Sequence, residues 1–360
     1  MTKEKLLYDL FKAYTQAKRH KSKKVYVKEF SKNLYENLNQ LAGDLYYRRY
    51  KAEPSTCFII TDPKKREVFA ASFRDRVVHH LYYNYTHEMY EKVFIYDSYS
   101  CIPKRGTHFG IERLKHHILS ESLNYSRPCY VLKLDIRGYF MHINRNILRS
   151  LAVKIIETKY KDQDTKDLVL YLTNEIILLN PIKNCIVIGS EKDWVGLPHN
   201  KSLKYSPEGC GLPIGNLTSQ VFSNVYLNRL DKYCKLILKC QHYGRYVDDA
   251  YIVSHDKEFL KTIIPKIKDY MYKELKLELH LGKTQINNVN KGVEFLGAYI
   301  KPYRTYMSNQ CLHRMRRKAN EHKADNKENK MSSMISRCGM LSHYSSYNIK
   351  LELLLKNNVS

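Results

Sequence analysis

The chain has 360 residues, a formal charge of +25 and a pI near 9.5, so it can bury a core without disulfide staples and is more positive than solubility requires. That balance points to a polyanionic partner. Its nine cysteines, at 57, 101, 129, 185, 210, 234, 240, 311 and 338, form no Cys-x-x-Cys pair, which excludes a zinc ribbon, argues against a disulfide framework and predicts a reducing, cytoplasmic location. Met1-Thr2-Lys3-Glu4-Lys5 lacks an apolar signal core, and no run approaches the roughly 20 apolar residues of a membrane span, so no membrane partner is expected. Lysine and arginine are spread among 31 tyrosines. Cations neutralise phosphates and aromatic rings stack on unpaired bases, a combination suited to single-stranded or hybrid nucleic acid.

In chain order, residues 1 to about 52 read as two helices with apolar faces Leu6, Leu7, Leu10, Phe11, Tyr14 and Phe30, Leu34, Leu38, Leu41, joined by the basic run Lys18–Lys24. Cys57–Ile60 and Glu67–Ala70 then flank Thr61-Asp62-Pro63-Lys64-Lys65-Arg66, a hairpin with a basic, Pro-marked turn. Lys64 and Arg66 could neutralise a triphosphate there, although a charged hairpin tip is usually only solvated. A long helix is predicted from about Phe73, carrying Arg74-Asp75-Arg76, with His79-His80 and, further on, His116-His117 on helix surfaces. Thr107 could cap the helix through Ile111, Leu114 and His117, with Lys104 and Arg105 beside its amide-rich end as a phosphate grip.

Tyr130–Leu134 reads as a strand whose alternation buries Leu132 and Leu134 and places Lys133 and Asp135 on the other face, so that Asp135 emerges at the strand end. A strand-terminal Asp is also commonly a helix cap. Residues 144–180 look helical, and the 181–210 connection with Trp194 carries no functional signal. Gly211-Leu212-Pro213-Ile214-Gly215-Asn216-Leu217-Thr218-Ser219-Gln220 leads into an amphipathic helix, where small residues permit close backbone approach to a flat ligand. Tyr243–Val247 and Ala250–Val253 then flank Asp248-Asp249, a hairpin with acid at its tip. Adjacent carboxylates call for a cation, yet Asp pairs also serve plain turn chemistry. A Lys-rich helix follows from about Lys257, and short strands in 277–284 and 293–300 are predicted to return to the sheet. The tail from His313 through Arg316 and Arg317 is basic and helical in pattern, with a polar break at Ala324–Asn329.

In this order the motifs resemble those of reverse transcriptases. Leu134-Asp135-Ile136-Arg137-Gly138-Tyr139-Phe140 is similar to the first palm motif, Tyr246-Val247-Asp248-Asp249 to the Tyr-x-Asp-Asp motif, Leu281-Gly282-Lys283-Thr284 to the later lysine motif and Glu294-Phe295-Leu296-Gly297 to the primer-grip region. The match runs from roughly residue 57 to residue 303. Retron and group II intron enzymes are expected to carry Gln-Gly and a Ser-Pro ending where this chain has Ile214-Gly215 and Ser219-Gln220. The latter resembles the enzymes of diversity-generating retroelements.

The resemblance implies an α+β right-hand polymerase fold with fingers, a palm of antiparallel sheet packed on helices and a short helical thumb. The parts would be an N-terminal helical region (1–55), fingers and palm (56–305) and thumb (306–360). It implies two Mg²⁺ ions, with Mn²⁺ as a substitute, held by Asp135, Asp248, Asp249 and the Ile136 carbonyl. Lys283 would protonate the leaving pyrophosphate or else be an exposed lysine. Lys64, Arg66, Phe140, Ile214, Gly215 and Gln220 would bind the nucleotide, Phe140 beneath the sugar as a gate against a 2′ hydroxyl. Arg74, Lys104, Arg105, Arg316 and Arg317 would bind nucleic acid. The implied activity is copying a template-repeat RNA into cDNA with errors at adenines, so that the cDNA replaces a variable repeat. Partners would be template RNA, the RNA–cDNA hybrid, dNTPs and an oligomeric, small, basic accessory variability protein. A retron-like or defence-associated reverse transcriptase, and a non-catalytic RNA-binding scaffold, are the alternatives. Ile214 cannot donate the hydrogen bond a glutamine would offer near the templating pair, so mispairs would be penalised less.

Overall fold

A computed structural model describes residues 1–62, 64–321 and 327–358; Pro63 of the first turn and the 324–326 portion of the tail's polar break lie outside the described residues. The chain opens with α1 (Lys3–Lys18), α2 (Val25–Lys32) and α3 (Leu34–Tyr46). Three helices stand where periodicity suggests two, because Asn33 leaves helical geometry (φ −116°, ψ 48°) and starts a new axis. The hairpin β1 (Ser55–Ile60) and β2 (Arg66–Ala70) leads to α4 (Phe73–Val93), whose Asp75 amide donates to the Ser72 hydroxyl at 3.1 Å. In α5 (Thr107–Glu121) Gly106 occupies the cap position, so Thr107 is the first helical residue rather than the cap. There follow β3 (Tyr130–Leu134), α6 (Tyr139–His142), α7 (Arg145–Lys159) and α8 (Gln163–Leu178). The Asp162 side chain caps α8 and so divides the 144–180 stretch into two helices. Then come β4 (Cys185–Val187), α9 (Glu191–Trp194), α10 (Leu217–Lys232), β5 (His242–Tyr246), β6 (Asp249–Ser254) and α11 (Lys257–Leu275). The chain closes with β7 (Gln285–Asn288), β8 (Val293–Phe295), β9 (Ala298–Lys301), β10 (Arg304–Met307), α12 (Asn309–Glu321), α13 (Lys327–Leu341) and α14 (Tyr347–Asn358).

Two compact units each draw on several stretches of sequence. The first comprises Met1–Cys101, Ile136–Tyr233 and Ile267–Leu279. Leu6, Leu10, Leu38, Leu41, Val77 and Leu81 are fully buried in it, and Phe73 meets Phe30 edge-on with ring centroids 5.3 Å apart. Its sheet has the order β2-β1-β4, with β4 parallel to β1. The 181–210 connection, silent in sequence, is fastened to β2: buried Glu67 accepts from Trp194 Nε1 at 2.8 Å, the Ser202 hydroxyl at 2.8 Å and the Leu203 amide at 2.6 Å. His79 corrects the surface reading, for it is 8 % exposed and its Nδ1 pairs with the Thr218 hydroxyl at 2.7 Å.

The second unit comprises Ile102–Asp135, Cys234–Lys266 and His280–Ser360. Its four-stranded antiparallel sheet has the order β5-β6-β3-β7. Val131, Leu132, Tyr243, Tyr251 and Ile252 form its core, and Tyr251 meets Phe295 edge-on at 5.1 Å. His117 of α5 is buried too, contrary to the surface reading, with its Nδ1 3.1 Å from the Tyr251 hydroxyl. Residues 293–300 do not join this sheet. Leu296 and Gly297 take positive φ (50° and 83°) and fold β8 back on β9, giving a separate sheet β10-β9-β8. Likewise 281–283 is a 3-10 turn, and the strand begins only at Gln285. None of the nine cysteines is joined in a disulfide, and among the described residues no helix is long and apolar enough to cross a membrane.

Candidate active site

The acidic hairpin is built from the register upward. β5 and β6 pair from His242 with Val253 down to Tyr246 with Asp249, leaving Val247 and Asp248 as the two-residue turn. Val247 takes φ +55°, a conformation that a β-branched side chain strongly resists. Beneath it Arg245 is fully buried, and its Nη1 donates to the Val247 carbonyl at 2.7 Å. The guanidinium therefore anchors the carbonyl of the strained residue from below, and Asp248 and Asp249 are presented half-buried and exposed respectively.

β3 pairs with β6 from Tyr130 with Ser254 to Leu134 with Ala250. Asp135 is the residue after Leu134 and Asp249 the residue before Ala250, so both lie at the end of the β3–β6 ladder that carries the Val247–Asp248 turn. Asp135, Asp248 and Asp249 thus gather at one end of one sheet. Lys283 arrives there as well, its Nζ 3.4 Å from Asp135 Oδ2, with side chains 60 % and 30 % exposed. The His280 amide donates to the Asp135 carbonyl at 2.8 Å and the Arg137 amide to the Glu278 carbonyl at 2.9 Å. These bonds flank Ile136 and Leu279, which bridge as a non-hydrogen-bonded pair, so the Ile136 carbonyl turns away from the 278–280 segment. Among the described residues no group of three or more His, Cys, Asp or Glu side chains is arranged as a metal cage. Mg²⁺ does not require one, since it commonly binds through one or two carboxylates completed by waters and substrate phosphates. The donors present are hard oxygens, and that chemistry fits the ion.

At the opposite end of the sheet, Glu121 accepts from the His255 amide at 2.9 Å and lies 3.3 Å from His242 Nε2. Burial opposes its ionisation, but the His255 hydrogen bonds and the His242 charge hold its carboxyl below the usual range.

The remaining candidates from the sequence divide between the units. Phe140, Ile214, Gly215, Gln220, Lys64, Arg66 and Arg74 belong to the first. Phe140 and Ile214 border the cluster of Cys57, Phe69, Met141 and Leu203. The Phe69 amide donates to the Ile214 carbonyl at 2.9 Å. Gly215 has φ +124°, and a Cβ there would lie 2.9 Å from Val68 Cγ1 and 3.1 Å from the Phe69 carbonyl, so this position admits only glycine without displacement. Gln220 is exposed and accepts from Cys101 Sγ at 3.1 Å. Lys64 and Arg66 are exposed. Arg74 is held in an internal network, 2.9 Å from Asp44, 3.5 Å from Asp75 and 3.9 Å from Glu53. In the second unit Lys104 and Arg317 are exposed, Arg105 is half-buried, and Arg316 pairs with Glu352 at 2.8 Å. Sequence reading missed Arg245. Its signal was a lone cation two residues after Tyr243, on the same face of a strand.

The carboxylates at a sheet end, the antiparallel sheet beside helices and the helical C-terminal segment define a right-hand polymerase fold of mixed α+β class. The structure of apo telomerase from Candida tropicalis has a TM-score of 0.51 at 12% identity, covering 82% of this chain and 55% of that chain, a likeness of fold alone. Residues 61–300 match the family described as Reverse transcriptase (RNA-dependent DNA polymerase). The chain belongs to the reverse transcriptase family. Among curated proteins it is similar to the Putative COX1/OXI3 intron 2 protein of Saccharomyces cerevisiae, 21% identical over 322 residues, which cover 73% of this chain and 34% of that protein. It is also similar to Protein YkfC of Escherichia coli, 24% identical over 294 residues, covering 72% of this chain and 70% of that one. The chain thus spans about a third of the length of the yeast relative.

Proposed function

We propose that this protein is an RNA-directed DNA polymerase whose reaction runs at the end of the second unit's sheet, where the Leu134–Ala250 pair closes the β3–β6 ladder and is followed by Asp135 on one strand and preceded by Asp249 on the other. That register is the observation that carries the reading. Asp135, Asp248 and Asp249 would hold two Mg²⁺ ions, which when bound lower the pKa of the primer 3′ hydroxyl and offset charge on the phosphoryl group. The protein's own work is positional. Arg245 and the Val247 turn fix where Asp248 points, and Lys283 brings an ammonium beside Asp135, a group able to pass a proton to a leaving phosphate. Substrates on this reading are dNTPs on an RNA template and the resulting hybrid, with the excess positive charge binding the backbone.

The subtype reading rests on Ile214-Gly215-Asn216-Leu217-Thr218-Ser219-Gln220. This stretch supports an enzyme of a diversity-generating retroelement, cytoplasmic and working with a small basic accessory protein, whose cDNA carries errors at adenines.

The deciding experiment is Mg²⁺-dependent primer extension on RNA. Asp248→Asn should lower extension at least about a hundredfold while leaving RNA affinity unchanged, because it removes a ligand charge and not the basic surface. Retained extension rejects the assignment. For the subtype, Ile214→Gln should lower misincorporation at template adenines, and an unaltered error spectrum in sequenced cDNA would refute that role.

A further inference from the structure

Among the described residues no strand pairs with the outer edge of β4, the last strand of the first unit's β2-β1-β4 sheet. Ile186, Val187 and Ile188 are 59, 59 and 58 % exposed there, and Ile182 before them and Val195 after them are exposed as well. Open sheet edges are ordinarily guarded by charge, by proline or by a bulge, and residues 186–188 have none of these. Three successive apolar side chains on such an edge are the kind of patch that marks an interface. The backbone is open too. β4 runs parallel to β1, with the Ser55 amide donating to the Asn184 carbonyl at 3.3 Å and the Ile188 amide to the Cys57 carbonyl at 2.8 Å. Successive strand residues aim their N–H and C=O groups to alternate sides, so 184, 186 and 188 face β1 while Cys185 and Val187 face outward, a template for one more strand.

The charges beside the strand select its occupant. Lys183 precedes β4 and Glu191 follows it, both exposed and neither in an ion pair among the described residues. Lys192 and Asp193 also follow it and offset one another, and Asp193 is held by the Ser190 amide at 2.7 Å. An antiparallel neighbour of the same sequence brings the entry of each strand beside the exit of the other, and so Lys183 toward Glu191 twice. A parallel copy would set like charges side by side. About a two-fold axis through Val187, the two Val187 residues become a hydrogen-bonded pair, and Ile186 of each copy comes opposite Ile188 of the other on one face.

We propose that β4 is a self-association edge, on which a second copy of this chain pairs antiparallel about that axis and joins the two β2-β1-β4 sheets into one. The edge lies in the first unit and the acids in the second, so the inference goes beyond the polymerase reading and does not depend on it. Asp248→Asn should pair as wild type does.

The test is sedimentation velocity of the full chain, nuclease-treated and free of nucleic acid, over a concentration series. At about 0.15 M salt, where exposed charges more than about 8 Å apart are screened, wild type should show a monomer–dimer equilibrium. Val187→Pro removes an N–H that faces away from β1, a change an edge strand tolerates, and should weaken dimerisation about a hundredfold. Lys183→Glu should weaken it about tenfold, and adding Glu191→Lys should restore it, a rescue that no role in folding predicts. A chain that stays monomeric through the micromolar range overturns the proposal and leaves the edge to a strand of a different protein. An open-ended polymer overturns it as well, because pairing about a two-fold axis closes at the dimer. So does a dimer unmoved by Val187→Pro and by the charge reversal. If Val187→Pro does not fold, Ile186→Lys, at an exposed side chain, decides in its place.

Discussion

Val247 holds a left-handed backbone that its branched side chain disfavours by about 1–3 kcal/mol, and Arg245 is the cation bonded to its carbonyl. Val→Gly in a strand or turn normally weakens a protein, but here Val247→Gly should leave stability unchanged or raise it by about 1 kcal/mol in urea unfolding, because glycine takes φ +55° without strain. Primer extension should nevertheless fall, since the looser tip no longer fixes Asp248. Arg245→Met should destabilise by about 3 kcal/mol or more, as the Val247 carbonyl loses a charged donor within the core. His79 gives a pH prediction. Burial, then the charges of His80 and Arg76, push its pKa down to about 4, while the unfolded chain takes up that proton near 6.5. Its contribution is therefore complete above about pH 6.5 and declines as pH falls toward 4, by up to about 3 kcal/mol. His79→Gln should flatten that decline, measured as denaturation midpoints between about pH 7 and 4.5; parallel curves would contradict it. None of this was visible in the residue string, where His79-His80 looks like helix surface and Arg245 like one more of 61 basic residues.

Among elements, the β1–β2 hairpin shows what patterning can and cannot convey. Its alternation and basic turn were plain, and the strands fall where they were predicted. Its second task was hidden, because Glu67 on β2 gathers Trp194, Ser202 and Leu203 from a connection with no pattern of its own. Glu67→Ala leaves two side-chain donors and one amide unsatisfied and should destabilise the first unit by about 2–4 kcal/mol. Gly215→Ala should cost about 1–3 kcal/mol and lower extension, because the new methyl drives into Val68 and the Phe69 carbonyl at a positive φ; thermal unfolding with an extension assay tests both. The short strands near 293–300 were legible as strands but not as members of their own sheet, since period-two patterning does not name a partner.

Across the whole molecule, the +25 charge sets how any polyanion is bound. RNA affinity should fall about a hundredfold or more between about 50 and 200 mM salt, and fluorescence anisotropy over that range checks it. A salt-insensitive affinity would mean that the basic surface is not the binding surface. The two compact units ignore chain order, each taking its segments from both sides of the first palm motif. Segments far apart in sequence therefore share a core, which local periodicity cannot announce.

The sequence by itself determined the family-level motifs, the acidic residues and the longer helical stretches, though not where the 1–52 and 144–180 stretches divide, because these depend on residue identity, spacing and local backbone preference. Only the tertiary structure decided that Asp135 and Asp249 flank the last pair of the β3–β6 ladder, that Lys283 sits 3.4 Å from Asp135 and that Arg245 lies buried under a strained turn. Each of those depends on strand register or on which side chains lose water together, and such free energies belong to pairs of distant residues and not to any one stretch of chain.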